Sequence, residues 1–208
     1  SYIHSLFAHA LSLSIEYDLT PESLTTISPE PWQEIIRVAK LHSCESVVLG
    51  LTDFQEGKQE TPLDQLLGAI DSDVVVFRTR PGFQLNSVGR ILVPVGGLRN
   101  DKLRARLLGR LARMGQREIT YLRVMPADTT PAAKQSAERE LSRQVYHETR
   151  GRGETLLLLS DDTIQTVVEQ SRESDLIVLG SQRLDRHNKL LGEFTLQVAH
   201  STDTPLIV

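Results

Sequence analysis

The sequence contains seven short runs of aliphatic residues that are almost continuous and do not alternate with polar residues. The runs are SVVLGL (46–51), DVVVF (73–77), RILVPV (90–95), ITYLRV (119–124), TLLLLS (155–160), DLIVLG (175–180) and PLIV (205–208). Strands that are buried on both faces have this pattern, as in parallel sheets covered by helices. The runs therefore predict an α/β fold.

Segments of helical period separate these runs. Apolar residues recur at every third or fourth position in 31–41, 100–114 and 163–171. Asn100 and Gly115 are placed to begin and end the second of these helices, and Asp161 and Asp162 are placed to cap the third. Strands that alternate with helices are joined by right-handed crossovers, so the sequence predicts a doubly wound sheet.

Composition excludes several classes of protein. The 208 residues carry a net charge of −4, which disfavours a general nucleic-acid binder. Cys44 is the only cysteine, so the chain has neither an internal disulfide nor a cysteine-based zinc site. A reducing, cytoplasmic location is therefore expected. No apolar run is long enough to cross a bilayer.

An internal repeat divides the chain into two parts. Residues 23–51 and 155–181 each have the pattern of a strand, an acidic cap, a helix and a second strand that ends in Gly50 or Gly180. A loop, a short helix and a terminal strand follow in both copies. We therefore predict the back half of one unit at residues 1–77, a linker at 78–87 and a complete second unit at 88–208.

Four segments of this pattern resemble the universal stress protein family. They are RILVPVGG, ITYLRVMP, SDLIVLGS and TPLIV, and the resemblance extends over the whole chain as one truncated and one complete repeat. It implies an α/β fold of two universal-stress-protein-like, adenine nucleotide alpha hydrolase-like units with parallel sheets. The terminal strands, 74–77 and 206–208, are expected at sheet edges. The resemblance implies that they pair, within the chain as a pseudo-dimer or between chains as a homodimer.

The resemblance also implies a degenerate nucleotide site in the second unit. In the ATP-binding members of the family, the first strand ends in an aspartate that meets the adenine. Glycines in the loop after the fourth strand let backbone amides approach the phosphates. The corresponding positions in this sequence are Gly96, Gly180, Ser181, Arg183 and Gly192.

These positions depart from the ATP-binding pattern. Gly96 stands where the aspartate is expected, Arg183 replaces the second glycine of the loop, and the spacer 184–191 is one residue short. Glu193 replaces the final serine or threonine. Its carboxylate would repel a phosphate by on the order of 4 kcal/mol at about 4 Å with an effective dielectric of about 20. We therefore expect no cofactor, with weak binding of ATP or AMP as the alternative.

The helix predicted at 100–114 has an apolar face and a basic face. The apolar face has Leu103, Leu107, Leu111 and Met114, and the basic face has Arg106, Arg110, Arg113 and Arg117. Few acidic residues lie three or four positions from these arginines. We interpret the basic face as solvated, with docking to an acidic partner or to anionic lipid head groups as the alternative.

Other candidate residues have simpler interpretations. Cys44 and His42 could form a nucleophile and its base, but a cysteine near a helix end is more typical of a small buried residue. Ser160, Asp161 and Asp162 lie at a strand-to-helix turn, where capping is favoured over metal binding. The sequence has no HExxH, GxSxG or Walker motif. We therefore expect that the chain is not an enzyme and binds no metal.

Two functions follow from the resemblance, and a third is weighed against them. The first is a non-catalytic regulatory domain, the cytosolic C-terminal part of a transporter of the amino-acid permease or cation–chloride cotransporter type, with a membrane-embedded domain upstream. The second is a stand-alone tandem universal stress protein that binds ATP or AMP in the stress response. The third, a weak nucleotide hydrolase, lacks an identifiable base or metal ligand. We favour the first and expect a cytoplasmic location and no nucleic-acid partner.

Overall fold

The computed structural model describes residues 20–51, 61–80, 82–96, 102–180 and 192–208, preceded by residues 7, 8, 10–12, 14, 15 and 18. The strands are β1 (Ser46–Leu51), β2 (Asp73–Arg78), β3 (Arg90–Pro94), β4 (Glu118–Met125), β5 (Glu154–Leu159), β6 (Leu176–Val178) and β7 (Leu206–Ile207). The helices with described boundaries are α1 (Pro31–Leu41), α2 (Pro62–Ala69), α3 (Lys102–Leu111), α4 (Pro131–Thr149), α5 (Thr163–Ser171) and α6 (Glu193–Ser201). None of the helices in the described part of the chain has the length and hydropathy needed to cross a membrane.

Local sequence signals explain where these helices begin. Pro31 occupies the first turn of α1, where its missing N–H costs no hydrogen bond. Thr61 and Asp64 form a reciprocal capping box at α2, with bonds of 2.9 and 3.2 Å. At α5 the Asp162 carboxylate accepts a bond of 2.9 Å from the Gln165 amide. The boundaries predicted for 31–41 and 163–171 and the cap at Asp162 are confirmed.

All seven strands form one sheet in the order β1-β2-β7-β6-β3-β4-β5. Every neighbouring pair is parallel except β2 and β7, which pair Phe77 with Ile207 and Arg78 with Leu206 in antiparallel register. The α/β fold class is confirmed. The sequence predicted that both terminal strands, β2 and β7, lie at sheet edges. Each is the outermost strand of its own part, but neither is an edge of the whole sheet. The edges are β1 and β5, and pairing between two chains stays a prediction.

Helices cover both faces of the sheet. On one face, α1, α2, α5 and α6 pack over a core that includes Leu92 and Ile177. On the other face, α3 and α4 pack over a core that includes Ile91 and Val178. Successive residues of a central strand thus enter opposite cores, and both must be apolar. This explains the continuous aliphatic runs.

The edge strands β1 and β5 are the exceptions to this double burial, since neither contributes a side chain to the core under α3 and α4. The residues of β1 alternate between exposed and partly buried, and Val48 is 65% exposed. Strand β1 contributes side chains to the core under α1 and α2 instead. The expectation that every aliphatic run is buried on both faces is therefore wrong for β1 and for β5.

The strand expected within 23–28 does not form. Residues 20–28 adopt neither helix nor strand, and Leu24 and Ile27 are 56% and 100% exposed. A strand needs a neighbouring strand to satisfy its backbone N–H and C=O groups. None of the strands described above pairs with this segment, so its strand-like composition has no structural consequence here.

The apolar side of α3 differs in detail from the prediction. The helix ends at Leu111, before the predicted end at Met114. Leu108 and Leu111 are fully buried, whereas Met114 is 57% exposed. The buried stripe is therefore shifted by one position from Leu107 to Leu108, and Leu107 packs at its margin.

The predicted basic face of this helix is also wrong. Arg106 and Arg110 lie on α3 and are exposed, but Arg113 and Arg117 follow the end of the helix. Arg117 is partly buried and donates to three backbone carbonyls. The four arginines therefore do not form one continuous helical stripe.

Arg78 joins the two parts of the sheet. It is the last residue of β2 and is partly buried. Its Nη1 donates to the carbonyl of Ala199, and its Nη2 donates to the carbonyls of Thr202 (2.8 Å) and Thr204 (2.9 Å). These carbonyls lie at the end of α6 and in the turn to β7, where helix carbonyls lack helical partners. The guanidinium supplies those missing donors and a favourable charge at the helix C-terminus.

A buried polar network lies between α3, α4 and β4. Both oxygens of the Glu148 carboxylate accept bonds from Arg104, at 2.7 Å from Nη2 and 3.2 Å from Nε. The Tyr121 hydroxyl (3.2 Å) and the side-chain amide of Gln144 (3.0 Å) donate hydrogen bonds to the same carboxylate. The Arg104 and Glu148 side chains are only 9% and 7% exposed. Every member of this network has a partner, as burial of polar groups requires.

We expect the stability of this network to decline at alkaline pH. Burial raises the pKa of the Tyr121 phenol, and the adjacent Glu148 carboxylate raises it further. Above about pH 10, the ordinary pKa of tyrosine, the unfolded chain loses this proton while the folded chain keeps it, so the free energy of unfolding falls with pH by up to about 1.4 kcal/mol per unit. Urea denaturation from neutral to alkaline pH measures this slope.

Two tyrosine variants separate this contribution from other alkaline effects. Tyr121→Phe should remove the slope, at a cost of about 1 kcal/mol for the lost bond to Glu148. Tyr146→Phe, at a site that is 68% exposed, should keep the slope. An equal slope in both variants would contradict the assignment to Tyr121.

Candidate functional site

The three predicted glycines with described positions lie at one edge of the sheet, which we call the glycine edge (Gly96, Gly180 and Gly192). Gly96 follows β3 and Gly180 follows β6. These strands are adjacent and parallel, with Ile91 beside Leu176. The chain runs outward from β3 to β4 and β5 and then returns to β6, so the strand order reverses between β3 and β6. Ligands of doubly wound proteins bind at such a reversal, outside the carboxyl ends of the strands.

Gly192 completes the glycine edge from the helix side. It is the N-cap of α6, and no side chain caps this helix. Because α6 connects the parallel strands β6 and β7, its amino end lies at the carboxyl ends of the strands. Ser181 and Arg183, the other predicted site residues, lie outside the described residues. The structure therefore brings three of the five predicted positions to one edge.

Space alone does not require glycine at two of these positions. A Cβ atom added to Gly96 or Gly192 would meet no atom within 4 Å, and neither residue has a positive φ. Gly96 is also exposed. Among the described residues, no steric restriction on a Cβ atom therefore explains the glycine at position 96.

Glu193 occupies the first turn of α6, next to Gly192. Its Oε1 accepts a hydrogen bond of 3.1 Å from the side-chain amide of Gln197, which lies one helical turn later. A carboxylate at a helix N-terminus is stabilised by the helix dipole and uses the favourable potential that would otherwise attract a phosphate. Sequence reasoning singled out Glu193 but missed Gln197, although the spacing of four residues is a recognisable signal for such a pair.

The acidic side chains after β5 accept hydrogen bonds from backbone amides. The Asp161 carboxylate accepts a bond of 3.0 Å from the Ala127 amide, and Asp162 caps α5. The capping interpretation of this turn is confirmed for Asp162. In the described ranges, no group of three or more histidine, cysteine, aspartate or glutamate side chains is arranged to hold a metal ion.

Cys44 lies between α1 and β1 and packs against the core as a partly buried residue. Its backbone amide donates to the Ala39 carbonyl at 2.9 Å and its carbonyl accepts a bond from Ser72. His42 is exposed at the end of α1. These contacts agree with the interpretation of Cys44 as a small packing residue near a helix end.

The sequence of the second part decides the family. The model of the Universal stress protein family matches residues 87–208, which include β3 to β7 and the whole glycine edge. The chain belongs to the universal stress protein family. No curated protein matches this chain in sequence.

Solved structures of low sequence identity share the fold over nearly the whole chain. The cytoplasmic domain of a prokaryotic cation chloride cotransporter is 12% identical, with a TM-score of 0.65, and the match covers 96% of this chain and 77% of that one. A universal stress protein from Archaeoglobus fulgidus is 16% identical, with a TM-score of 0.59 and coverage of 99% and 77%. At these identities the likeness concerns the fold alone.

The glycine edge of this family member retains the outline of an anion site. It has a strand reversal, two glycines with open space beside them and a helix N-terminus that no described side chain caps. Two features oppose nucleotide binding, since Gly96 supplies no carboxylate for a base and Glu193 places a negative charge where a phosphate would approach. Such a site favours weak anion binding over tight nucleotide binding.

Proposed function

We propose that this chain is a non-catalytic regulatory domain of a membrane transporter of the amino-acid permease or cation–chloride cotransporter type. It acts on the cytoplasmic side of the membrane, and its assembly as a dimer belongs to the same proposal. The observation that carries the proposal is the Glu193 carboxylate at the amino end of α6, bonded to Gln197. With this charge at the glycine edge, the domain works without a nucleotide cofactor.

The fold shared with a cotransporter cytoplasmic domain supports the choice of protein class. That likeness covers 96% of this chain, so it includes β1 and β2 as well as the family-matched second part. The junction of β2 with β7 makes both parts one sheet. A regulatory domain acts by changing its contacts with other protein parts, and a continuous sheet links the two parts for that role.

The coding sequence that precedes Ser1 tests the transporter assignment directly. We expect several hydrophobic segments, each of about 20 residues, upstream of this domain. A short hydrophilic start would overturn the assignment and favour the stand-alone universal stress protein that binds ATP or AMP. The open glycines of the glycine edge are the observation that keeps this second function under consideration.

Calorimetry with ATP tests the role of Glu193. We expect the wild-type chain to bind ATP no more tightly than millimolar, and Glu193→Ser to raise the affinity by roughly tenfold, because it removes a carboxylate near the phosphates and adds a hydroxyl donor. Arg183→Gly in the same background should raise it further by restoring the second glycine.

Glu169→Ser is the matched control for this titration. Glu169 lies on α5 and accepts a bond of 2.8 Å from Gln165, so the variant removes the same charge and the same kind of pair away from the glycine edge. Its ATP affinity should equal that of the wild type. Tight binding by the wild type, or equal affinities in both serine variants, would contradict the assigned role of Glu193.

A further inference from the structure

An open cleft lies at the edge of the sheet opposite the glycine edge. It has a volume of about 620 Å³, and its charged lining residues are Arg90, Arg117, Arg152 and Glu118. We call it the arginine cleft. Arg90 begins β3, Arg117 directly precedes β4 and Arg152 lies two residues before β5. Since β3, β4 and β5 are parallel neighbours, their amino ends meet here.

The arginine cleft is separate from the glycine edge. Arg90 and Pro94 are the two ends of β3, so about 13 Å of extended strand separates the two sites. A phosphate or pyrophosphate ion is much shorter than this distance, so it contacts one site or the other. The inference that follows goes beyond the proposed function and does not depend on it.

Arg117 is held in place by backbone groups. Its Nε donates to the Val88 carbonyl at 3.1 Å, Nη1 to Leu111 at 3.2 Å and Nη2 to Leu85 at 2.9 Å. A guanidinium has five N–H donors, so one donor remains on each terminal nitrogen. Arg152 makes a weaker bond of 3.4 Å to the Ala112 carbonyl. These contacts fix cationic groups at the wall of the cleft without neutralising them.

The positive charge of the cleft is not balanced locally. Elsewhere in the described chain Arg37, Arg80, Arg104 and Arg123 each have a carboxylate within 3 Å. Among the described residues, no ion pair joins Arg90, Arg117 or Arg152 to a carboxylate, although Glu118 shares the lining. The Asp175 carboxylate is nearby but accepts from the Gly89 and Arg90 amides.

This local excess is not a consequence of overall composition. The chain as a whole has a net charge of −4, whereas the cleft places three guanidinium groups against one carboxylate in its lining. Arg117 is partly buried, and a guanidinium in that position that lacks a counter-ion carries a desolvation cost that a bound anion would offset. Arg90 and Arg152 are exposed and add positive charge beside it.

We infer that the arginine cleft binds a ligand that carries a phosphate group. Guanidinium groups match phosphate oxygens with paired hydrogen bonds, and a phosphate dianion takes more than one of them. The volume of the cleft lies within the range of about 300–1,000 Å³ that is usual for small-molecule sites, so it accommodates an organic group attached to the phosphate. The phosphate belongs either to a dissolved molecule or to a lipid head group.

A titration of the ¹⁵N-labelled chain with inorganic pyrophosphate tests this inference. We expect the largest amide shifts at Arg90, Gln116, Arg117 and Arg152. Arg90→Gln combined with Arg152→Gln should weaken the binding by roughly tenfold, because it removes two of the three cations. Both residues are exposed, so the double variant should fold, and its unchanged thermal unfolding checks this.

Arg139→Gln combined with Arg143→Gln is the matched control. Both arginines are exposed on α4 and outside the cleft, and the variant loses the same charge. It should bind pyrophosphate as the wild type does. No saturable binding at millimolar pyrophosphate, an equal loss in both double variants, or shifts centred on Gly96, Gly180 and Gly192 would each overturn the inference.

Vesicle flotation then separates the two sources of phosphate. Vesicles of phosphatidylcholine alone are compared with vesicles of equal parts phosphatidylcholine and phosphatidylglycerol. Binding to the anionic vesicles that is lost in Arg90→Gln/Arg152→Gln assigns the site to lipid head groups. Pyrophosphate binding without flotation assigns it to dissolved phosphate ligands.

Discussion

Glu148→Gln should lower the free energy of unfolding by about 3–5 kcal/mol, because it leaves the Arg104 guanidinium buried without its counter-charge. The carboxylate accepts four hydrogen bonds, two from Arg104 and one each from Tyr121 and Gln144. An amide of the same shape cannot accept all of them, since its nitrogen is a donor. Urea denaturation followed by circular dichroism measures the loss.

Two further variants make this prediction specific. Glu138→Gln on the exposed side of the same helix α4 should change stability by no more than about 0.5 kcal/mol. Arg104→Met combined with Glu148→Gln should recover much of the loss, because no buried charge remains. A loss below about 1 kcal/mol for Glu148→Gln alone is the value for an exposed pair and would contradict the burial-based explanation.

The sequence could not have revealed this network. Arg104 and Glu148 are 44 positions apart, and both lie on segments whose amphipathic pattern assigns charged residues to solvent. Their burial results from the packing of α3 against α4 over Tyr121, which depends on tertiary geometry. Periodicity describes one helix at a time and carries no information about which polar residues two helices bury together.

The sequence predicts a strand correctly where other strands of the sheet lie beside it. The central runs, such as those of β3 and β6, lie between other strands and under helices on both faces, so their composition reflects their position. A strand within 23–28 was expected from the repeat with 155–181, but none of the described strands lies beside this segment, and it forms no strand. Composition predicts the ability to pair, whereas pairing needs a partner strand.

The same reasoning explains how the two edges of the sheet were interpreted. The glycines after β3 and β6 were singled out through the resemblance to the ATP-binding pattern, and they share one edge because the carboxyl ends of parallel strands meet there. Arg90, Arg117 and Arg152 precede or begin three neighbouring strands, and the amino ends of parallel strands meet as well. The helical period places Arg117 on a helix face, although Gly115, a residue typical of helix ends, precedes it in the sequence. The structure places Arg117 directly before β4.

Arg78→Met should lower the free energy of unfolding by about 1.5–3 kcal/mol, the usual range for hydrogen bonds to a charged group. The variant removes the donors of three carbonyls at the end of α6 and in the turn to β7. Arg80→Met is the matched control, because Arg80 bridges the same two segments through Asp203 at 2.8 Å but with side chains 58% and 93% exposed. It should cost no more than about 1 kcal/mol.

Amide hydrogen exchange shows which part of the sheet is destabilised by Arg78→Met. The amides of Val76 and Val208 bond to each other's carbonyls across the junction of β2 and β7, at 2.8 and 2.9 Å. Only two residue pairs define the register of this junction, whereas β4 and β5 share six. We therefore expect Arg78→Met to accelerate exchange at Val76 and Val208 far more than in β4, because the junction opens before the rest of the sheet. Equal acceleration throughout would mean that the two parts unfold as one cooperative unit, and that Arg78 stabilises the fold as a whole and not the contact between its parts.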